Sequence, residues 1–370
     1  MTPAVCPLHV EDIVLQQRIK AHATEPACSY CAANGPAPIA VSWAAFMEAF
    51  LVGVGAHYQR VSAGVDAAVP AGRVAREILG LAGVSHPKLV DDISEALGGA
   101  PGWVARDRRN SNGIDQLSYG WDAFKHIVKH EMRYFFASRS TVSGDMTALQ
   151  VLQAVSDLGE NHPAVWPAPC PAPLFRARMA TTESEASHWR HAGDLGPPPP
   201  ECAAANRMSP AGISIFYGAT DRATAIAEAG AHAAHRFVVT GEFTPTRELH
   251  LIDLTNLPEP PSIFDESSHT EYFVVRFLQR FIHDITLPVE LDGHEHIDYV
   301  PTQVFTEYFR YAFPDRVDGL MFPSAQGPGV NVVVFVGADR CADKGSETED
   351  TTLSFDTATL RTSRVMTVAR

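Results

Sequence analysis

The chain has 370 residues, of which 45% are hydrophobic and 19% charged, and carries a formal net charge of −14. This is enough sequence for two domains with separate cores, with no apolar run of membrane-spanning length. The acidic surplus argues against a general binder of nucleic-acid backbone and favours a small-molecule substrate or a basic protein partner. The N-terminus lacks a basic region followed by an apolar run, so a cytoplasmic location is expected. There, six cysteines do not make a disulfide framework.

The chain opens with Cys6-x-x-His9 and Cys28-x-x-Cys31, separated by 18 residues that include a short helical pattern, IVLQQRIK. Three thiols and an imidazole in two x2 pairs have the number and kind of ligands of a closed tetrahedral zinc site, and all four positions filled by protein make such a metal structural. His22 is an alternative ligand. Residues 1–38 are therefore read as a Cys3His zinc knuckle.

Helical periodicity dominates 39–158, with apolar residues at helical spacing in VSWAAFMEAFLVGVGAHYQRV, VAREILGLAG and GWDAFKHIVKHEMRYFFAS, and a last helix over 147–158. His126 and His130 stand four apart on one helix face, a pattern more typical of a half-buried polar stripe than of a site. The segment 159–173 is rich in proline and aperiodic, which predicts a stiff extended linker and a domain boundary. A second break, GDLGPPPPECAA, favours polyproline geometry and a surface loop.

Beyond the linker, strands and helices alternate irregularly: a strand at 174–178, a loop carrying Arg207, a strand over 213–219, a helix capped by Thr220 or Asp221, then strands at 236–243 and 248–254, helices at 270–284 and 302–313, and strands at 317–322 and 331–336. The expected class is α+β, a helical N-terminal domain followed by a mixed α/β domain over 174–338, with 339–370 a polar tail, disordered in part. His294 and His296 fall in a polar loop without a third ligand at useful spacing.

The stretch NRMSPAGISIFYGATDRATAIAE carries a basic residue, an aromatic hydroxyl and a carboxylate: Arg207, Tyr217 ten residues on, and Glu228 eleven further, spread over loop, strand and helix. Their order lets them converge on one small cleft, and the alanines around Glu228 would let a ligand approach that helix closely. Together with Arg176 in LFRAR, the block YVPTQ (299–303) and the block DGLMFPS (318–324) followed by Asn331, this stretch resembles the RES domain, the toxin half of a bacterial toxin–antitoxin class that consumes NAD. Met208 stands where that family usually has Trp, and Ala205 where it often has Gly. The helical half with its Cys-rich beginning is similar to the HEPN-type region that precedes some RES domains. It lacks the Arg-x4-6-His spacing of HEPN nucleases after Arg60, Arg73 or Arg109.

The resemblance implies an ADP-ribosyltransferase-like fold and NAD as a consumed substrate, cleaved between nicotinamide and ribose by a glycohydrolase or phosphorylase. Glu228 would stabilise the sugar cation, Arg207 pair with the pyrophosphate, Tyr217 contact the nicotinamide, and Ser324 and Arg176 make further cofactor contacts, with Arg178 adding positive charge. It also implies an antitoxin or other protein partner; oligomerisation is left open. A protein ADP-ribosyltransferase and a non-catalytic zinc-containing interaction module are the alternatives. No Gly-x-Gly-x-x-Gly, Walker sequence or nucleophile elbow is present, which argues against a Rossmann oxidoreductase, a P-loop NTPase and an α/β-hydrolase.

Overall fold

The computed structural model describes residues 3–60, 69–98, 102–105, 120–133, 152–153, 156, 168–230, 236–287, 293–313 and 316–365. Most of the proline-rich linker and of the helix expected at 147–158 lies outside the described residues. Packing divides the chain into two compact units: Met1–Gly120 with Ser140–Met146 and Glu259–Phe277, and Trp121–Arg139 with Thr147–Pro258 and Leu278–Arg370. No helix among the described residues is long and apolar enough to cross a membrane.

In the first unit, Ala4–Val5 pairs with Val41–Ser42 in a short antiparallel ladder. Helix α1 (Ile13–Ala21) starts where Asp12 Oδ1 accepts from Leu15 N at 2.9 Å, and it buries Leu15 and Ile19, one turn apart. Helix α2 (Trp43–His57) is capped by Ser42 and buries Phe46, Phe50, Gly53 and Val54, the apolar stripe legible in the sequence. Phe264 lies against Gly53, where an added Cβ would come within 2.4 Å of its ring. Helix α3 (Ala71–Ala82) ends at Gly83 with φ +62°, the left-handed cap that glycine adopts without Cβ strain. Helix α4 (Pro87–Leu97) was not expected, although Leu89, Ile93 and Leu97 are buried at successive turns; its apolar residues are diluted by Lys, Asp, Ser and Glu.

The second unit is built on a sheet of nine strands among the described residues: β1 (Ala168–Pro169), β2 (Leu174–Ala180), β3 (Phe216–Ala219), β4 (Phe237–Pro245), β5 (His250–Asp253), β6 (Gly319–Pro323), β7 (Val330–Val334), β8 (Cys341–Asp343) and β9 (Leu353–Arg364). Their order is β8-β9-β4-β2-β3-β7-β6-β5-β1, with β8/β9 and β5/β6 parallel and the other pairs antiparallel. The end of the expected linker is thus an edge strand. Among its helices are α5 (Gly120–His126), continued as a wider turn through Ile127–Glu131, α6 (Arg222–Gly230), α7 (His269–Thr286), which passes from the first unit into the second at Leu278, and α8 (Val300–Tyr311). Phe281 of α7 meets the Trp121 ring at 5.1 Å and the Phe305 ring at 4.0 Å, so α5, α7 and α8 share one aromatic core.

Residues 339–365, the described part of the segment expected as a polar tail over 339–370, are folded into the sheet. They hold β8 and the 12-residue β9, which pairs with β4 in the interior of the sheet order. Leu353 and Phe355 are buried in the main core, with the Phe355 ring 4.8 Å from that of Phe243. Period-two alternation is present at Leu353 and Phe355, but the charged stretch before them and the Thr-rich composition after them hide it. Phe355→Ala is expected to cost about 3–5 kcal/mol by the usual large-to-small penalty; urea unfolding of the purified chain measures it, and a loss below about 0.5 kcal/mol would be the result for a disordered tail.

Candidate active site

Strands β2 and β3 are neighbours through a single register pair, Phe175 with Ala219, whereas β2 pairs with β4 along its whole length, from Leu174 to Ala180. Beyond Phe175 the two strands part. Arg176 fills the opening: its Nε donates to Leu195 O at 2.6 Å and its Nη1 to Tyr217 O. Burial pulls its pKa down to about 10. Gly218 permits the close approach at the joined end, since a Cβ there would lie 2.8 Å from the Phe216 ring and 3.2 Å from Phe175 O. Over this opening sits a cleft of about 380 Å³, lined by Arg176 and Ala177 of β2, Tyr217 and Gly218 of β3, Ala225, Glu228 and Ala229 of α6, Arg207 and Met208, Ile285 to Leu287 at the end of α7, Tyr299, Phe322 and Asn331. That volume lies in the range of small-ligand sites.

Glu228 is held at one oxygen only. Its Oε1 accepts from Ser324 Oγ at 2.5 Å and from Asn331 Nδ2 at 2.8 Å, while Oε2 accepts nothing from the described residues. Ser324 Oγ itself accepts from Gln326 N at 3.1 Å and Gly327 N at 3.0 Å, so both of its acceptor positions are taken and its proton is directed at Glu228. Ser324 thus supports the carboxylate and is not among the residues that line the cleft. Asp221 caps α6, with Oδ1 accepting from Thr224 N at 2.8 Å; these hydrogen bonds lower its pKa. Ala225 and Ala229 line the cleft with Glu228, so the cleft-lining neighbours of the carboxylate on α6 carry only methyl groups.

Arg207 lies on a tight turn whose hydrogen bonds are nearly all accounted for. Asn206 Oδ1 accepts from Met208 N and Ser209 N, each at 2.9 Å, and from the Tyr217 hydroxyl, which accepts in turn from Met208 N at 3.1 Å. From α8, Gln303 Nε2 donates to Asn206 O at 2.7 Å and Ser209 O at 3.1 Å, and the Thr302 hydroxyl to Arg207 O at 2.5 Å. Met208 is buried, and its sulfur accepts from Thr306 Oγ1 at 3.3 Å. The guanidinium of Arg207 donates to the carbonyls of Asp284, at 2.7 Å, and Leu287, at the C-terminal end of α7. A cation there suits the negative end of the helix, and burial lowers the Arg207 pKa.

Arg176, Arg207, Tyr217 and Glu228 are therefore brought to one cleft from four separate elements. The Tyr217 hydroxyl, expected to reach a nicotinamide, is instead engaged with the Arg207 turn, and burial raises its pKa. Its ring remains on the cleft wall. Arg178 does not contribute: two residues beyond Arg176 it stacks on the Trp189 ring at 4.4 Å and donates to Asp194 O at 2.5 Å. Asn206, Gln303, Asn331 and Tyr299 were not singled out from the sequence for any role, although the YVPTQ block and Asn331 were noted as matching segments; amide side chains give no pattern until the loops they clamp are known.

In the first unit, Cys6, His9, Cys28 and Cys31 come together, with all ligand atoms within 4.8 Å of one another. The Cys6 and Cys31 sulfurs are 3.7 Å apart, Tyr30 N donates to Cys28 Sγ at 3.4 Å, and the buried His9 Nε2 has no hydrogen-bond partner. This cluster could hold a metal ion. His22 is outside it, hydrogen-bonded to Arg18 O at 3.0 Å, and so are His294 and His296.

A mixed α+β unit with a carboxylate and a guanidinium lining one cleft, preceded in sequence by a helical unit with a thiol–imidazole cluster, is the class these features define. The RES domain model matches residues 173–356 and the HEPN/RES N-terminal domain 1 model matches residues 21–142; the chain belongs to the RES-domain proteins with a HEPN/RES N-terminal domain. No match was found among curated proteins. Among solved structures it is similar to the M. tuberculosis MbcT–MbcA toxin–antitoxin complex at 13% identity and a TM-score of 0.29, over 58% of this chain and 91% of that one, a likeness too slight to bear on function.

Removing the Tyr217 hydroxyl takes one donor from the partly buried Asn206 Oδ1 and leaves Met208 N with Asn206 Oδ1 as its acceptor. Tyr217→Phe is accordingly expected to destabilise the chain by about 1–3 kcal/mol, read by chemical denaturation, with no loss of the sheet's circular dichroism.

Proposed function

We propose that this chain is a RES toxin that cleaves NAD at the nicotinamide–ribose bond, as a glycohydrolase or phosphorylase, on an ADP-ribosyltransferase-like scaffold. The observation that carries the reading is Glu228: one oxygen is fixed by Ser324 and Asn331 and the other is unpartnered, in a cleft that also holds Arg207. Nicotinamide leaves readily, because the electron pair of the breaking C–N bond neutralises its ring. What the protein must supply is a negative charge beside the oxocarbenium-like ribose and a fixed geometry. A carboxylate fixed at Oε1 supplies both without reorganising, and Ala225 and Ala229 leave room for the sugar. Water or phosphate then bonds to the anomeric carbon and releases a proton.

The donors of Arg207 not used on the α7 carbonyls suit a pyrophosphate, the partly engaged Arg176 adds positive charge at the base of the cleft, and the Tyr217 ring offers a stacking face to nicotinamide. RES-family membership supports a protein antitoxin as partner. For the Cys3His cluster the proposed ion is structural zinc: four protein ligands close a tetrahedron, and the 3.7 Å Cys6–Cys31 separation matches the edge of about 3.8 Å that Zn–S bonds of about 2.3 Å define.

Incubation of the purified chain with NAD, followed by mass spectrometry, should show free nicotinamide with either ADP-ribose or its 1-phosphate. Glu228→Gln keeps the side-chain shape and removes the charge, so turnover should fall at least ~100-fold with little change in nucleotide binding. Arg207→Ala should weaken binding and turnover together. Unchanged NAD consumption by Glu228→Gln would sink the mechanism. Elemental analysis should find about one zinc per chain, and Cys28→Ser should release it while the RES unit keeps its fold; a metal-free wild type would remove the zinc reading.

A further inference from the structure

The segment that follows Gly120 falls within the match to the HEPN/RES N-terminal domain, yet by packing it belongs to the unit that holds the cleft. Two of its lysines, Lys125 and Lys129, stand four residues apart and so on one face. Lys125 Nζ donates to Asp284 Oδ2 at 2.7 Å, where Trp121 Nε1 also donates at 2.7 Å. Lys129 Nζ donates to Asp298 Oδ1 at 2.7 Å. Both aspartates occupy corresponding places in the site. Asp284 directly precedes the cleft-lining Ile285 to Leu287 and offers its own carbonyl to Arg207; Asp298 directly precedes the cleft-lining Tyr299, which opens the segment whose Thr302 and Gln303 clamp the Arg207 turn.

We propose that the 121–131 segment is a positioning element of the RES cleft: Lys125 and Lys129 fix Asp284 and Asp298, and through them the anchor of the Arg207 guanidinium and the placement of Tyr299. The proposal rests on the reading of this cleft as the NAD site. Trp121, Phe124 and Val128 are buried and set the segment in place; the lysines then define the position of the two wall pieces along it. Side-chain exposures of 28% and 25% in the first pair and 21% and 52% in the second leave the pairs accessible to water. Their strength is that of partly screened ion pairs, enough to bias where the wall stands and weak enough for a change at this segment to be felt in the cleft. A RES fragment beginning after the linker would lack this support.

The test uses the full chain carrying Lys125→Met and Lys129→Met together, with Lys125→Arg and Lys129→Arg as the conservative pair. Hydrogen exchange by mass spectrometry should show amides of 283–287 and 299–303 exchanging about three- to fivefold faster in the methionine variant, the size expected for loss of such pairs, with β4 and β7 unchanged and the arginine variant close to wild type. In steady state KM for NAD should rise by a similar factor while kcat changes by less than about twofold. Faster local exchange in a wild type that releases no nicotinamide would keep the positioning element and discard the NAD reading. Nicotinamide release with local exchange and KM unaffected by the methionine variant overturns the proposal, as does faster exchange spread evenly over the sheet, which would mark a purely structural role.

Discussion

Everything at the cleft depends on the parting of β2 from β3. Two neighbouring strands that pair at one position leave backbone carbonyls without ladder partners, and a buried carbonyl left so is costly. Arg176 resolves this by placing a planar set of donors in the gap, on Tyr217 O and Leu195 O. Its charge at the base of the cleft then serves the ligand only with the donors it has left. Glu228 of α6 and Arg207 then line the same cleft with Arg176.

The second constraint is saturation. Asn206, Tyr217, Gln303 and Thr302 commit their polar groups to the Arg207 turn, and Ser324 commits its whole capacity to Glu228 and the loop behind it. Side chains so committed do not rearrange when a ligand arrives, which is what electrostatic preorganisation requires. They also divide the site into two sets: groups that hold, and groups with something left to offer, namely Glu228 Oε2, the spare donors of Arg207 and the Tyr217 ring. A proposed reaction that needs a charge beside a sugar and a fork beside a pyrophosphate calls on the second set alone.

The helical unit achieves order in a different way. Its short ladder between Ala4–Val5 and Val41–Ser42 brings Cys6 and His9 beside Cys28 and Cys31, and Cys6 packs with Ala4 and Ala40 in a small apolar cluster. This ligand set, packed on so small an apolar cluster, could hold a metal ion. His9, whose buried Nε2 has no hydrogen-bond partner, is the group with most to gain from one.

Local signals carried much of this protein. The Cys6-x-x-His9 and Cys28-x-x-Cys31 spacings, the apolar stripe of α2, and the order Arg207, Tyr217, Glu228 over loop, strand and helix are each fixed by a few adjacent residues, and so is the resemblance to the RES domain that those blocks supported. Tertiary structure alone decided the rest. β9 belongs to the sheet because Leu353 and Phe355 find Phe243 across a gap of over a hundred residues, a partnership no local pattern encodes. Arg176 faces the cleft while Arg178 turns to Trp189, although the two are alike in composition and spacing, because only the first meets the opening beside β3. The hydroxyls of Tyr217 and Ser324 are engaged within the protein for the same reason: a hydroxyl's role is set by which donors and acceptors the fold brings to it, and those come from parts of the chain that sequence separation hides.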